Sequence, residues 1–355
     1  MILFLIMLAF LCLFGIRFSQ NGFEDYMSPK KTGSIKGIFV VIVLLSHLRQ
    51  YISINGSALN QPYKDFMNFF GQLMVVMFLF YSGYGVLLGI MKKDGYVKSI
   101  PAKRVLKVLI HFDIAVLLFW ITGRLIGKDY SVRRLLLSFI GLEGVGNSIW
   151  FIFVIIVLYL VTFAAFIFLK KKVVAGTIIT TVLSFGVLLA IREWKGSEYW
   201  WYDTIMCYPL GMWYALAKPY IDKAVLPDFN KWFACTAASG TLFFAMHSLL
   251  SDFHNSRKIF IPMALVFAAF VTLLSMRISV CNGILEWFGK RVFGIYILQR
   301  IPMIVLSYFG VNDSPFLFSV VCFALTIVLA EIFERAMDKL DILLHLSKKP
   351  VKKSV

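Results

Sequence analysis

Eleven apolar windows, each close to bilayer-spanning length and each set off by a polar break, constrain this chain more than any other feature. A hydrocarbon core about 30 Å thick takes roughly 20 apolar residues in a helix. The windows fall at 1–16, 35–54, 69–91, 108–126, 149–169, 173–191, 201–217, 232–250, 259–276, 292–309 and 316–334. Backbone groups in hydrocarbon must be hydrogen-bonded within the protein, which leaves helices and closed barrels as spanning structures. The windows are continuous rather than alternating, so the expected fold is all-α: a polytopic transmembrane helix bundle of about eleven spans. With 60% hydrophobic residues and only 15% charged ones, the 355 residues hold no polar stretch long enough for a soluble domain.

The net charge of +17 is spread in short runs between the windows, which fits membrane lipid and not nucleic acid as the partner. If 17–36, 92–107, 170–172, 218–231, 277–291 and 335–355 face the cytoplasm, that face holds 25 of the 36 Lys and Arg. This bias puts the N-terminus outside and the C-terminus inside. The apolar start lacks a basic n-region and a small-residue cleavage site, so it reads as a retained first span. The run KKPVKK at 348–353 reads as a solvated tail near anionic lipid. The five cysteines make no CxxC pair, and neither a disulfide framework nor a metal site is expected.

Chemistry concentrates in a few polar residues. Lys36 and His47 share the second window, and at 100° per residue an offset of eleven returns to within about 20° of the same face. An ionisable group in a span is a functional candidate by default, and histidine suits proton abstraction from a hydroxyl near neutral pH. Packing against a neighbouring helix is the bland alternative. Ser82, Gly83 and Gly85 interrupt a bulky run and read first as a close helix contact. Lys103, Arg104 and Lys107 open the fourth window, where a helix N-terminus favours anions; plain positive-inside anchoring explains them equally well. His111 and Asp113 follow in the same window, placed to pair with other helices or to line a cavity. Trp150 opens the fifth as an interfacial anchor, and Pro209, Gly211 and Met212 are expected to bend the seventh. Between them, the apolar run Leu135 to Leu142 suggests an interfacial or re-entrant helix in an external loop. Near the end, Glu331 or Glu334 is placed to neutralise a cation or orient His47, with Glu334 and Arg335 as a surface pair the alternative.

In this order the features resemble the acyltransferase-3 family, bacterial integral-membrane O-acyltransferases that modify sugars and surface polysaccharides. Lys36 and His47 stand at the spacing of the family's arginine, ten residues, histidine. MFLFYSG at 77–83 matches its phenylalanine-rich run, and Arg104 with Lys107 its Arg-x-x-Arg pair. Trp150, the PLGM segment at 209–212, KRVFGIYILQR at 290–300 and Glu334-Arg335 follow in the family's order. Lysines replace arginines at 36 and 107, Gln299 stands where a histidine is common, and Ala336 replaces a proline.

The resemblance implies a ten-helix membrane acyltransferase domain at 35–336, preceded by an extra span and loop at 1–34 and followed by a basic tail at 337–355. It implies acetyl-CoA as the acyl donor, supplied from the cytoplasm, and a glycan or lipid-linked saccharide as acceptor, in a bacterial inner membrane. His47, Lys36 and Glu334 would be catalytic, and Arg104, Lys107, Lys103 and Trp150 would bind the donor. A transporter or flippase for a lipid-linked sugar or small metabolite is the alternative; it would need polar residues in the bundle but no base.

Overall fold

The computed structural model describes residues 1–54, 60–169, 172–252 and 256–346, without the side chains of 251 and 252. The basic run at 348–353 and two of the three residues of the 170–172 loop lie outside them. In chain order the helices are α1 (Ile2–Leu13), α2 (Pro29–Leu48), α3 (Gln61–Phe70), α4 (Leu73–Lys92), α5 (Tyr96–Ile100), α6 (Lys107–Leu125), α7 (Val132–Phe139) and α8 (Trp150–Phe166). There follow α9 (Val173–Lys195), α10 (Cys207–Val225), α11 (Phe229–Asp252), α12 (Arg257–Ser275), α13 (Gly283–Lys290), α14 (Val292–Leu298), α15 (Arg300–Tyr308) and α16 (Pro315–Leu343). A two-stranded antiparallel ladder pairs β1 (Arg17–Phe18) with β2 (Ile278–Ser279), Arg17 opposite Ser279.

Every expected apolar window coincides with a helix or a helix pair. Among the described residues seven helices are long and apolar enough to cross a membrane, and Ile2–Leu13, Trp150–Phe166 and Val292–Tyr308 are shorter apolar segments. The spans at Pro29–Leu48 and Gln61–Lys92 are 72% and 78% buried, whereas the other five are only 22–39% buried. The other five therefore show apolar side chains outward. Val174, Ile178, Val182, Phe185 and Leu189 make one such stripe on α9, and Leu317, Val320, Leu325, Val328 and Ile332 another on α16. Stripes of this extent belong against lipid. The chain is a multi-pass helical membrane protein.

Some boundaries differ from those expected, for local reasons. The helix carrying Arg104 begins at Tyr96, and a π-helical turn from Pro101 to Leu106 joins α5 to α6. Lys103, Arg104 and Lys107 thus lie inside a continuous helix, and the anion-attracting N-terminus expected there is absent. The seventh window starts later than expected: residues 199–201 form a 3₁₀ turn and α10 opens at Cys207. Pro209 falls in its first turn, where a missing N–H costs little, so it starts the helix and does not bend it. The Leu135 region forms the eight-residue α7, whose N-cap Ser131 accepts a hydrogen bond from the Arg134 N–H.

The chain divides into two compact units. One comprises 1–46, 55–94 and 164–292; the other comprises 47–54, 95–163 and 293–355. In the first unit α4 and α10 touch backbone to backbone. A Cβ added at Gly83 would lie 1.9 Å from the Tyr208 carbonyl oxygen, and one at Gly211 would lie 1.9 Å from that of Phe80. Gly37 and Gly289 fill the same role between α2 and α13, against the carbonyls of Leu285 and Gly33. Polar side chains in these helices are satisfied locally: Thr177 and Thr180 donate to carbonyls one turn back on α9. Arg277, fully buried, donates to the carbonyls of Ser19 and Leu226 and faces the rings of Phe229 and Trp232.

Gly83→Ala and Gly211→Ala should each destabilise the protein by about 1–3 kcal/mol through overpacking. Gly85→Ala, whose added Cβ meets nothing within 4 Å, should leave stability unchanged or slightly raised. Thermal unfolding of the purified protein in detergent checks the contrast.

Candidate functional site

The polar residues of the second unit gather in two groups. The first surrounds His47, on the last turn of α2. Its ring centroid lies 6.4 Å from that of Tyr296 on α14, which meets Phe151 of α8 edge-on at 5.5 Å. The Gln299 side chain lies beside the imidazole. It is fully buried, and its Nε2 donates to the Tyr296 carbonyl at 3.0 Å, which leaves Oε1 as the amide atom beside the imidazole, short of a closed hydrogen bond. The Tyr296 hydroxyl sits near Ser148 and the Phe151 backbone but closes a hydrogen bond with neither.

Three buried atoms around this ring have no hydrogen-bond partner among the described residues: His47 Nδ1, Tyr296 Oη and Gln299 Oε1. A buried polar atom left unpaired costs about 1–3 kcal/mol. Such atoms gathered at one imidazole make His47 the candidate site.

Arg300 opens α15 and ties two other segments of chain to it. Its Nε donates to Ser148 Oγ at 2.9 Å, one Nη to Tyr51 Oη at 3.3 Å and the other to Gln50 Oε1 at 2.7 Å. Asn312 adds a bond to the Tyr51 carbonyl at 3.2 Å. These contacts fix the polypeptide that follows His47.

The second group lies where α6 meets the end of α16. Asp341, 1% exposed, accepts from His111 Nε2 at 2.9 Å and forms an ion pair with Lys107. Lys107 and His111 are four residues apart, hence on one helical face. Phe293 and Phe333 flank the His111 ring at 5.8 and 6.4 Å. Arg104 turns elsewhere: its Nε donates to Tyr96 Oη at 3.2 Å and its guanidinium stands 6.0 Å from the Tyr159 ring. Lys103 is exposed. Glu334 Oε1 accepts the Gly294 N–H at 2.8 Å in the first turn of α14. Arg335 bonds with Glu331 at 2.6 Å, so the surface pair is with Glu331 and not with Glu334.

The Trp150 ring meets that of Phe151, its neighbour in sequence, at 5.7 Å, and Arg104 lies against Tyr159, further along α8. Lys36 lies two turns inside α2, in the first unit. Asp113 is in α6 with a buried, unpartnered Oδ1. Tyr296, Arg300 and Asp341 were not singled out by sequence reasoning. The signal for Arg300 was the polar pair Gln299-Arg300 in an otherwise apolar window. The signal for Asp341 was the amphipathic run continuing past residue 334.

A helical membrane protein with an incompletely satisfied histidine site is a class that holds both enzymes and transporters. The comparison with known families decides between them. The sequence model described as "Acyltransferase domain", that of the acyltransferase-3 family, matches residues 34–335. The chain belongs to this family and is a membrane acyltransferase. Searches of curated proteins and of solved structures returned no match.

Removing the carboxylate at the second group leaves the buried His111 N–H and the half-buried Lys107 ammonium without their acceptor, the more costly way to break such a pair. Asp341→Leu should lower stability by about 3 kcal/mol, less whatever water returns to Lys107, whose side chain is 32% exposed. Adding Lys107→Met should recover part of the loss, as read from thermal unfolding of the single and double variants.

Proposed function

We propose that this chain transfers acetyl from acetyl-CoA to a hydroxyl of a cell-surface glycan or its lipid-linked precursor. The observation that carries the reading is His47: a base type, in a chain of acyltransferase family, with an unpartnered Nδ1 amid other unpartnered polar atoms.

In this mechanism the acceptor hydroxyl hydrogen-bonds to the free imidazole nitrogen. As its oxygen attacks the thioester carbonyl carbon, the proton passes to His47. The tetrahedral intermediate collapses with loss of the C–S bond, and the imidazolium returns the proton to the departing thiolate. The products are an O-acetyl ester and the free thiol. Tyr296 Oη is a hydroxyl donor for this exchange, and exclusion of water protects the thioester from hydrolysis. Arg104 takes a donor phosphate, with Lys103 beside it. Lys107, held by Asp341, contributes by fixing the helix that carries Arg104. Lys36 supplies positive charge along the His47 stripe, and Glu334 holds the start of α14, and through it Tyr296 and Gln299. The donor enters from the cytoplasmic face of a bacterial inner membrane, with the N-terminus outside and the C-terminus inside.

Membranes containing the wild-type chain should move labelled acetyl from acetyl-CoA to glycan or glycolipid. His47→Ala, at equal amounts of folded protein, should lose about 10²–10⁴-fold in rate, the usual worth of a general base. Arg104→Ala should raise the KM for acetyl-CoA and change kcat less. Movement of a lipid-linked sugar across the membrane without transfer of label would favour the transporter instead.

A further inference from the structure

Arg300 follows Gln299 and bonds Gln50 and Tyr51, three and four residues beyond His47, and no carboxylate among the described residues forms an ion pair with it. Its three hydrogen bonds go to two hydroxyls and an amide oxygen, all neutral. A guanidinium has five N–H donors, so two remain uncommitted, and the residue keeps part of its surface accessible. A buried or half-buried arginine is ordinarily matched by a carboxylate, because a fork of N–H donors is worth most against a planar anion.

The position makes the missing counter-charge a question about substrate. Acyl transfer creates an imidazolium at His47, and two positive charges held close in a medium of low dielectric repel strongly. A negative charge near Arg300 relieves that repulsion at the moment the proton moves. No carboxylate among the described residues is paired with Arg300 to do so.

We infer that the acceptor supplies it: Arg300 binds a carboxylate or phosphate carried by the acceptor saccharide and thereby sets the acceptor hydroxyl against His47. This deepens the proposed acyltransferase reading and rests on it for the identity of the bound molecule as acceptor. Ser148, Tyr51 and Gln50 hold the guanidinium in place, so its remaining donors are presented in a fixed direction. The arrangement selects acidic sugars or sugar phosphates over neutral ones by charge and by the planar fork together.

Binding tests this without acyl-CoA, so its outcome is separate from that of the transfer assay. The full chain in lipid nanodiscs is titrated with methyl glucuronide, glucose 1-phosphate, methyl glucoside and inorganic phosphate at constant ionic strength. The two acidic sugars should bind at least about tenfold more tightly than the neutral glucoside, and glucose 1-phosphate more tightly than inorganic phosphate. Arg300→Gln should bring the acidic and neutral sugars to within about twofold of each other. Arg300→Lys should keep most of the phosphate preference and lose more of the carboxylate preference, while an unchanged melting temperature shows that both variants fold. Equal binding of acidic and neutral sugars, binding of none of them, a preference that survives Arg300→Gln, or inorganic phosphate binding as well as glucose 1-phosphate would each overturn the inference. A charge that acts only on the oxyanion of the tetrahedral intermediate gives the first of these results.

Discussion

Inside a membrane a buried polar atom finds a partner in the protein or goes without one, and this constraint governs the rest of the structure. Most groups obey it by short local bonds. Threonines on α9 and α12 return their hydroxyls to carbonyls one turn back; Asp341 gathers a histidine and a lysine; Arg277 takes two carbonyls and two aromatic faces. Other buried atoms also lack partners, as at Tyr81 and Asp203. The group at His47 differs because its unpartnered atoms surround one ring able to take a proton. The cost of leaving them open is borne by a fold that closes tightly elsewhere.

That closing rests on absent side chains as much as on present ones. At Gly83, Gly211, Gly37 and Gly289 the backbones of neighbouring helices stand where a Cβ would be. Between lipid-solvated helices there is little hydrophobic drive for association, so close van der Waals contact carries more of the load. The same economy explains the Ser-Gly of the phenylalanine-rich run: within the first unit it is a packing device.

Much of this was legible in the sequence. Continuous apolar windows, a property of composition and length, gave the helices within a few residues. The pairing of Lys36 and His47 on one stripe followed from helical periodicity. What periodicity could not give was which helix continues through a proline and which stops. Pro101 is accommodated by a wider turn, so the cationic residues beyond it lie inside a helix and not at its mouth. Partners across helices were also hidden: nothing local in the sequence ties Lys107 to Asp341, 234 positions away, or Arg300 to Gln50 and Ser148. These contacts depend on the packing of distant segments, which single-sequence patterns do not encode.

The most direct measurement is a cryo-EM structure of the full chain carrying His47→Asn, which stops turnover, with acetyl-CoA bound. Catalysis at His47 places the thioester carbonyl within about 3–4 Å of residue 47, the reach of a near-attack geometry, with the phosphates toward Arg104. A thioester that ends far from residue 47 and from Tyr296 and Gln299, in a well-defined donor site, would contradict the assignment of the chemistry to this histidine.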